Sequence, residues 1–189
     1  MPSASKKKSA GLLLFRETTA EVEVLLVHPG GPFWAKKDEG SWSIPKGEFS
    51  EDEEPLAAAK REFEEEMGVP PAGEFVQLEP LRQPSGKLVF AWALRADFDP
   101  SMLKSNMFSM EWPPKSGRQQ EFPEVDQAAW FAVEVARLKI LKGQAPFLDQ
   151  LLGRLRTADG PSVSPRPPIP SATTNPAKPQ QQLLFGEDS

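Results

Sequence analysis

The stretch GEFSEDEEPLAAAKREFEEEMGV, residues 47–69, holds a helix, both of its ends and a chemically charged face. Leu56, Ala59, Phe63 and Met67 recur at helical spacing and make one apolar stripe. Pro55 suits a first turn, where its missing N–H costs little. Gly68 suits a C-terminal stop, and Pro70 with Pro71 forbids continuation. Asp52 is the expected N-cap. Ser50 with Glu53 is a rival capping box, but it would push Pro55 deeper into the helix. Glu62, Glu65 and Glu66 stand at i, i+3 and i+4, within a sector of roughly 100° on a different face from the stripe. Ala58 lies one turn earlier on that acidic face and leaves room. Three carboxylates so placed repel each other. A hard cation explains them, because carboxylate oxygen, water and phosphate are the donors Mg²⁺ prefers. A solvated acidic helix face is the plainer alternative.

The charge distribution points to the same segment. The 189 residues carry a net charge of −5, yet Glu48–Glu66 alone holds nine acids and two bases. The rest of the chain is therefore slightly basic, and the acidity is local. With no cysteine, a disulfide scaffold, a thiol nucleophile and any Cys-ligated metal are excluded. With one histidine, His28, multi-His metal sites are excluded and a Ser-His-Asp triad is disfavoured. His28 ends a strand, where a structural or substrate-contacting role fits better than a catalytic one. No apolar run reaches the ~20 residues that span a bilayer. The lysines before Ala10–Phe15 imitate a signal peptide, but the apolar run is too short and Arg16 follows at once. A cytoplasmic protein without membrane attachment is the expectation.

Outward from the helix, strands are expected at Ala10–Arg16 and Glu21–His28, around a Thr18-Thr19-Ala20 turn, and at Phe75–Arg82, Lys87–Ala96 and Val125–Phe131. Asp97–Phe122 reads as one long polar and aromatic loop, of the kind that is functional or disordered. Val133–Lys142 and Pro146–Arg156 read as closing helices. Three parts follow: a disordered basic leader over 1–9, a globular domain over 10–156, and a Pro-rich disordered tail over 157–189. Ala158–Ser189 holds seven prolines among 32 residues, too little apolar surface to offset its ordering entropy.

Gly47, Glu53, Arg61, Glu62, Phe63, Glu65, Glu66, Gly68 and Val69 resemble the Nudix box, G-x5-E-x7-R-E-U-x-E-E-x-G-U, with U a bulky aliphatic residue. Every fixed position matches; Phe63 is aromatic where the family usually has an aliphatic side chain. The resemblance implies an α/β (α+β) fold, an α/β/α sandwich around a mixed β-sheet. It implies a pyrophosphohydrolase that cleaves a nucleoside diphosphate linked to a group X, using Mg²⁺ or Mn²⁺. By resemblance the metal ligands are Glu62, Glu65, Glu66 and the Gly47 carbonyl. Glu53 pairs with Arg61, which can hold a carboxylate bidentately and lock the metal face. The proton acceptor is a box glutamate such as Glu65, or an acid of a later loop, with Glu121 and Glu124 as candidates.

Trp42-Ser43-Ile44-Pro45-Lys46-Gly47-Glu48 resembles the Pro-Lys-Gly-Glu entry to the box, which is frequent among diadenosine polyphosphate and diphosphoinositol hydrolases and occurs in nucleotide-pool sanitising enzymes. The chain is thus similar to bacterial NTP pyrophosphohydrolases. Lys46 would face phosphate as a point charge. Trp34, Trp112 and Arg118 are the further substrate-binding candidates, with the tryptophans stacking on a base; Trp92 and Trp130 sit in apolar strands and are expected in the core. The substrate expected is a nucleoside or dinucleoside polyphosphate. ADP-ribose or a nucleotide sugar is one alternative, and a non-catalytic nucleotide-sensing or tethering module is another. The basic content is too low for a stable nucleic-acid footprint. In the tail, Gln181, Gln182, Leu183, Leu184 and Phe185 resemble the bacterial sliding-clamp binding peptide, which makes a clamp a candidate partner.

Overall fold

A computed structural model describes residues 7–158. The strands are β1 (Lys8–Glu17), β2 (Val22–Pro29), β3 (Lys46–Phe49), β4 (Phe75–Gln77), β5 (Leu81–Arg82), β6 (Leu88–Arg95), β7 (Met107–Glu111), β8 (Gln119–Pro123) and β9 (Val125–Ala132). The helices are α1 (Pro55–Met67), α2 (Val133–Lys139) and α3 (Pro146–Ala158). A mixed sheet runs β4-β6-β1-β2-β9, with β3 added to β1 and β5 to β6. Only β1 and β6 are parallel; the other pairs are antiparallel.

The unbroken apolar run in β1 is explained by burial on both faces. Leu12 and Leu14 pack with Ala58, Ala59, Phe63 and Met67 of α1. Leu13 and Phe15 point the other way, into a cluster with Val133 and Ala136 of α2 and Phe147, Leu148 and Leu151 of α3. The sandwich of helices about a mixed sheet is therefore as expected.

β1 also positions the site. Its first half pairs with β3 and its second half with β2, so these neighbours diverge along it. The Leu12 N–H reaches the Pro45 carbonyl at 3.0 Å. A Cβ on Gly11 would lie 2.4 Å from that oxygen and 2.5 Å from the Lys46 Cβ. Glycine at 11 thus lets the Pro45–Gly47 segment lie close against β1.

Several boundaries differ from the sequence reading. Strand β1 starts at Lys8, inside the span assigned to the leader; residues 1–6 lie outside the described residues, as do residues 159–189 with the Gln181–Phe185 motif. Helix α1 is capped by Glu54, whose side chain accepts from Ala57 N at 2.7 Å, rather than by Asp52 or Ser50. That cap puts Pro55 first in the helix and leaves Glu53 outside it. Gly68 closes the helix in the left-handed region, φ 79°. The span Phe75–Arg82 is broken into β4 and β5 around Pro80, which has no N–H to give. Helix α2 ends at Lys139 because Ile140 turns extended and bridges Trp42. The span Asp97–Phe122 is no unstructured loop. It holds a 3₁₀ turn, Pro100–Met102, and the β7–β8 hairpin, in which Phe108 and Phe122 are cross-strand partners with rings 6.1 Å apart. Trp92 is core, but Trp130 is only half-buried: its indole N–H donates to Phe98 O at 2.8 Å and Arg16 lies over its ring.

Candidate active site

Helix α1 arranges its acidic face around one guanidinium. Arg61 grips Glu53 with two bonds, Nε to Oε1 at 2.9 Å and Nη2 to Oε2 at 3.0 Å. Its remaining nitrogen, Nη1, donates to Glu62 Oε1 at 2.8 Å and reaches Glu65 at 3.3–3.4 Å. The bidentate pair ties the turn before α1 to its middle. It holds the Glu53 carboxyl below the usual carboxylate range and raises the Arg61 guanidinium.

Glu62 leans on the entry strand. A Cβ built on Gly47 would fall 1.8 Å from the Glu62 carboxylate, so only glycine leaves this carboxylate its place. The side chain is 15% exposed, and burial raises its pKa against the opposing pull of Arg61. Glu66 is deeper. Its Oε2 accepts the Lys46 backbone N–H at 2.9 Å. Burial pushes its pKa to about 8, with Glu62 and Glu124 adding like-charge repulsion and Lys46 opposing. Burial likewise lowers the pKa of the Lys46 ammonium, with Glu66 and Glu62 opposing.

Beside this face lies a cleft of about 200 Å³. Lys46, Glu66, Glu124, Trp34, Ser41 and Ser43 are among the residues that line it. Glu124 sits where β8 hands over to β9. Its backbone is gripped from both sides, its N–H by Asn106 O at 2.8 Å and its carbonyl by Gly30 N at 3.0 Å.

Of the sequence candidates, the structure brings Lys46, Glu66, Glu124 and Trp34 into one cleft, with Glu62, Glu65, Gly47, Arg61 and Glu53 adjoining through the contacts above. Glu121 does not join them. It is exposed on β8, opposite Ser109 in the hairpin, three residues before Glu124, which is also exposed but lines the cleft. Trp112 and Arg118 do not line the cleft either. They close the hairpin turn, Trp112 N donating to Arg118 O at 2.9 Å, and Trp112 meets Phe33 edge to face at 5.5 Å. Ser41 and Ser43 escaped the sequence reading. Period-two alternation against buried Trp42 and Ile44 is the signal that could have marked Ser43.

Among the described residues no three acidic or histidine side chains converge on one point as they stand. Glu62 and Glu65 both turn to Arg61, and Glu66 turns to the Lys46 N–H. The donor set nevertheless fits a hard divalent cation. It offers oxygen donors, the carboxylates and the Gly47 carbonyl, two of the acids are half-buried where their ionised forms are disfavoured, and Gly47 gives up its Cβ to make space for one of them.

Residues 5–151 match the family model of the NUDIX domain. A 52-residue stretch is 42% identical to an RNA pyrophosphohydrolase of Hahella chejuensis (strain KCTC 2396), covering 26% of this chain and 32% of that protein. The match thus spans about a third of that relative's length. Among solved structures, the NUDIX domain of Shewanella oneidensis NrtR complexed with ADP ribose superposes with a TM-score of 0.57 at 17% identity, over 81% of this chain and 90% of that one. A C. elegans Ap4A hydrolase binary complex superposes with a TM-score of 0.55 at 22% identity, over 79% and 98%. At these identities the two structures establish a shared fold.

Proposed function

This chain belongs to the NUDIX domain family, and on that premise we propose that it is a divalent-cation-dependent pyrophosphohydrolase acting on a nucleoside or dinucleoside polyphosphate. The observation that carries the proposal is the meeting of Glu66, Glu124, Lys46 and Trp34 in one cleft beside the acidic face of α1. The short stretch of likeness to an RNA pyrophosphohydrolase supports phosphoanhydride cleavage.

Each residue has a part. Glu62, Glu65 and Glu66, with the Gly47 carbonyl, would hold Mg²⁺ or Mn²⁺. The cation, when bound, polarises a phosphoryl oxygen and acidifies a water. Glu53 fixes Arg61, and Arg61 holds Glu62 and Glu65 on the same side of α1, from which they would turn to the cation. Lys46 presents a cation to the polyphosphate from the cleft wall. Glu124, which lines the cleft with Glu66 and has its backbone clamped on both sides, is the residue we assign to take the proton of the attacking water. Trp34 offers an aromatic wall to the base.

A substrate panel tests this reading. Diadenosine polyphosphates, nucleoside triphosphates, ADP-ribose and a diphosphoinositol polyphosphate are each incubated with Mg²⁺ or Mn²⁺, alongside Glu66→Gln. Cleavage of a nucleoside or dinucleoside polyphosphate is expected, with a loss of at least about 100-fold in the variant, since even groups behind a metal ligand are worth 10–100-fold. Preference for ADP-ribose would overturn the substrate assignment. Equal turnover by Glu66→Gln would overturn the site.

A further inference from the structure

His28 is the only histidine in the chain and takes no part in the chemistry above. Its ring is buried near the end of β2, 6% exposed. Nδ1 lies 2.8 Å from Asp126 Oδ1 on β9, and Nε2 lies 2.8 Å from the Lys37 carbonyl in the loop after β2. Both partners are acceptors while Asp126 is ionised. The ring donates to both only with a proton on each nitrogen. A neutral ring can donate to one partner and turns a lone pair toward the other.

The loop held in this way is the one that carries Trp34. Its start is fixed on the far strand: Gly30 N–H donates to Glu124 O, and a Cβ on Gly30 would lie 1.9 Å from Pro123 O. Its middle is a tight turn, with Trp34 N and Ala35 N both donating to Gly31 O at 3.2 Å and Lys37 N donating to Trp34 O at 2.7 Å. Its end is fixed by Asp38, whose carboxylate accepts the Trp42 indole N–H at 2.9 Å and pairs with Lys139. The bond from His28 to Lys37 joins the turn to the sheet one residue before that anchor. Around the ring stand Asp126 from β9, Lys37 and Asp38 from the loop, and the Trp42 ring edge-on at 5.2 Å; Lys139 of α2 reaches Asp38.

We propose that His28, bound to Asp126, is a positioning residue that rivets the Gly30–Gly40 loop to β9 and so sets Trp34 in the cleft wall. Its effect on substrate rests on the nucleotide reading of the cleft. His28 touches no reacting atom, so it governs affinity rather than the chemical step.

His28→Phe keeps a ring beside Trp42 and removes both N–H donors. Asp126→Asn keeps an acceptor for Nδ1 without the negative charge, and carries the test should His28→Phe fail to fold. The expected result for His28→Phe is a KM raised about threefold with kcat within about twofold, a loss at the low end for one hydrogen bond and below that of removing the Trp34 ring itself. Asp126→Asn should fall between this variant and the wild type. Amide exchange over residues 31–38 should accelerate in both variants while that of α1 and β1 is unchanged. Unchanged exchange in the loop, exchange that rises across the whole domain, or a fall in kcat at constant KM would each overturn the proposal. The exchange measurement uses no substrate. It decides whether His28 holds the loop even where no nucleotide is hydrolysed, so failure of the rivet and failure of the substrate reading are separable.

Discussion

Helix α1 and the Gly30–Gly40 loop face each other across the same cleft, but they are held by different kinds of contact. The acidic face is organised locally. Arg61 meets Glu53 eight residues away, Glu65 four away and Glu62 one away. The loop is organised at long range. His28 and Asp126 are 98 residues apart, and Asp38 and Lys139 are 101 apart. Charge placement for the reaction is thus written into one short segment, while the wall that meets the substrate depends on strands brought together by the whole fold. Substitutions should separate the two: damage to the local set acts on turnover, and damage to the long-range set acts on binding.

The largest effect should come from breaking the local set at its centre. Arg61→Lys keeps the charge but cannot grip Glu53 with two parallel bonds while donating to Glu62. Metal affinity or kcat should fall by about 10- to 100-fold, the range for groups that orient metal ligands. Mn²⁺ titration alongside steady-state kinetics would measure it. A variant with wild-type metal affinity and kcat would show that the acidic face holds its arrangement without the guanidinium.

A second break uses pH in place of mutation. Glu66 is raised from 4.5 to about 8 by burial in the metal-free protein. The folded state therefore holds a proton that the unfolded state has lost, between those two values. Stability from this group is fully present below about 4.5 and is lost as pH rises through about 8. Melting of metal-free protein should accordingly show a midpoint that declines across that window relative to Glu66→Gln. Excess Mg²⁺ should raise the wild-type midpoint more at pH 8 than at pH 5, because the cation competes with protons for the same oxygens. Equal Mg²⁺ effects at both values would place the cation elsewhere.

The same division explains what could be read in the sequence. The stripe of Leu56, Ala59, Phe63 and Met67, the Gly68 stop and the three-glutamate face depend on spacing within one helix, and spacing is visible in a string of letters. The two-sided burial of β1 was legible as an unbroken apolar run. The cap was not: Asp52, Glu53 and Glu54 are adjacent acids, and which one turns to the helix depends on Arg61 claiming Glu53. The β7–β8 hairpin was hidden because its apolar side is short, Phe108 and Met110 on β7 facing Phe122 and Gln120 on β8, with polar or exposed residues between them. Glu121 and Glu124 looked equivalent. What separates them is the link between β8 and β9, where backbone bonds to Asn106 and Gly30 hold Glu124 at the cleft while Glu121 stays in the hairpin, and those partners are distant in the chain. Trp34 and Trp112 posed the same problem: both are loop tryptophans near lysines, and the fold places one in the cleft and the other against Phe33.

The smallest effects belong to that tryptophan pair, and they sharpen the contrast most. Trp34→Ala removes an indole from the cleft wall beside Glu66 and Glu124. If the base stacks there, KM should rise roughly five- to tenfold, the lower part of the range for losing one base–aromatic stack, with kcat little changed. Trp112→Ala removes a ring that touches Phe33 on the outer side of the loop, where Phe33 is itself 57% exposed. That loss should move KM by less than about twofold, as surface substitutions away from a site do. The reverse order, with Trp112 the costlier loss, would mean that the substrate extends past the cleft onto the hairpin, and the outer aromatic pair would then be a part of the binding wall that the loop and β7–β8 build together.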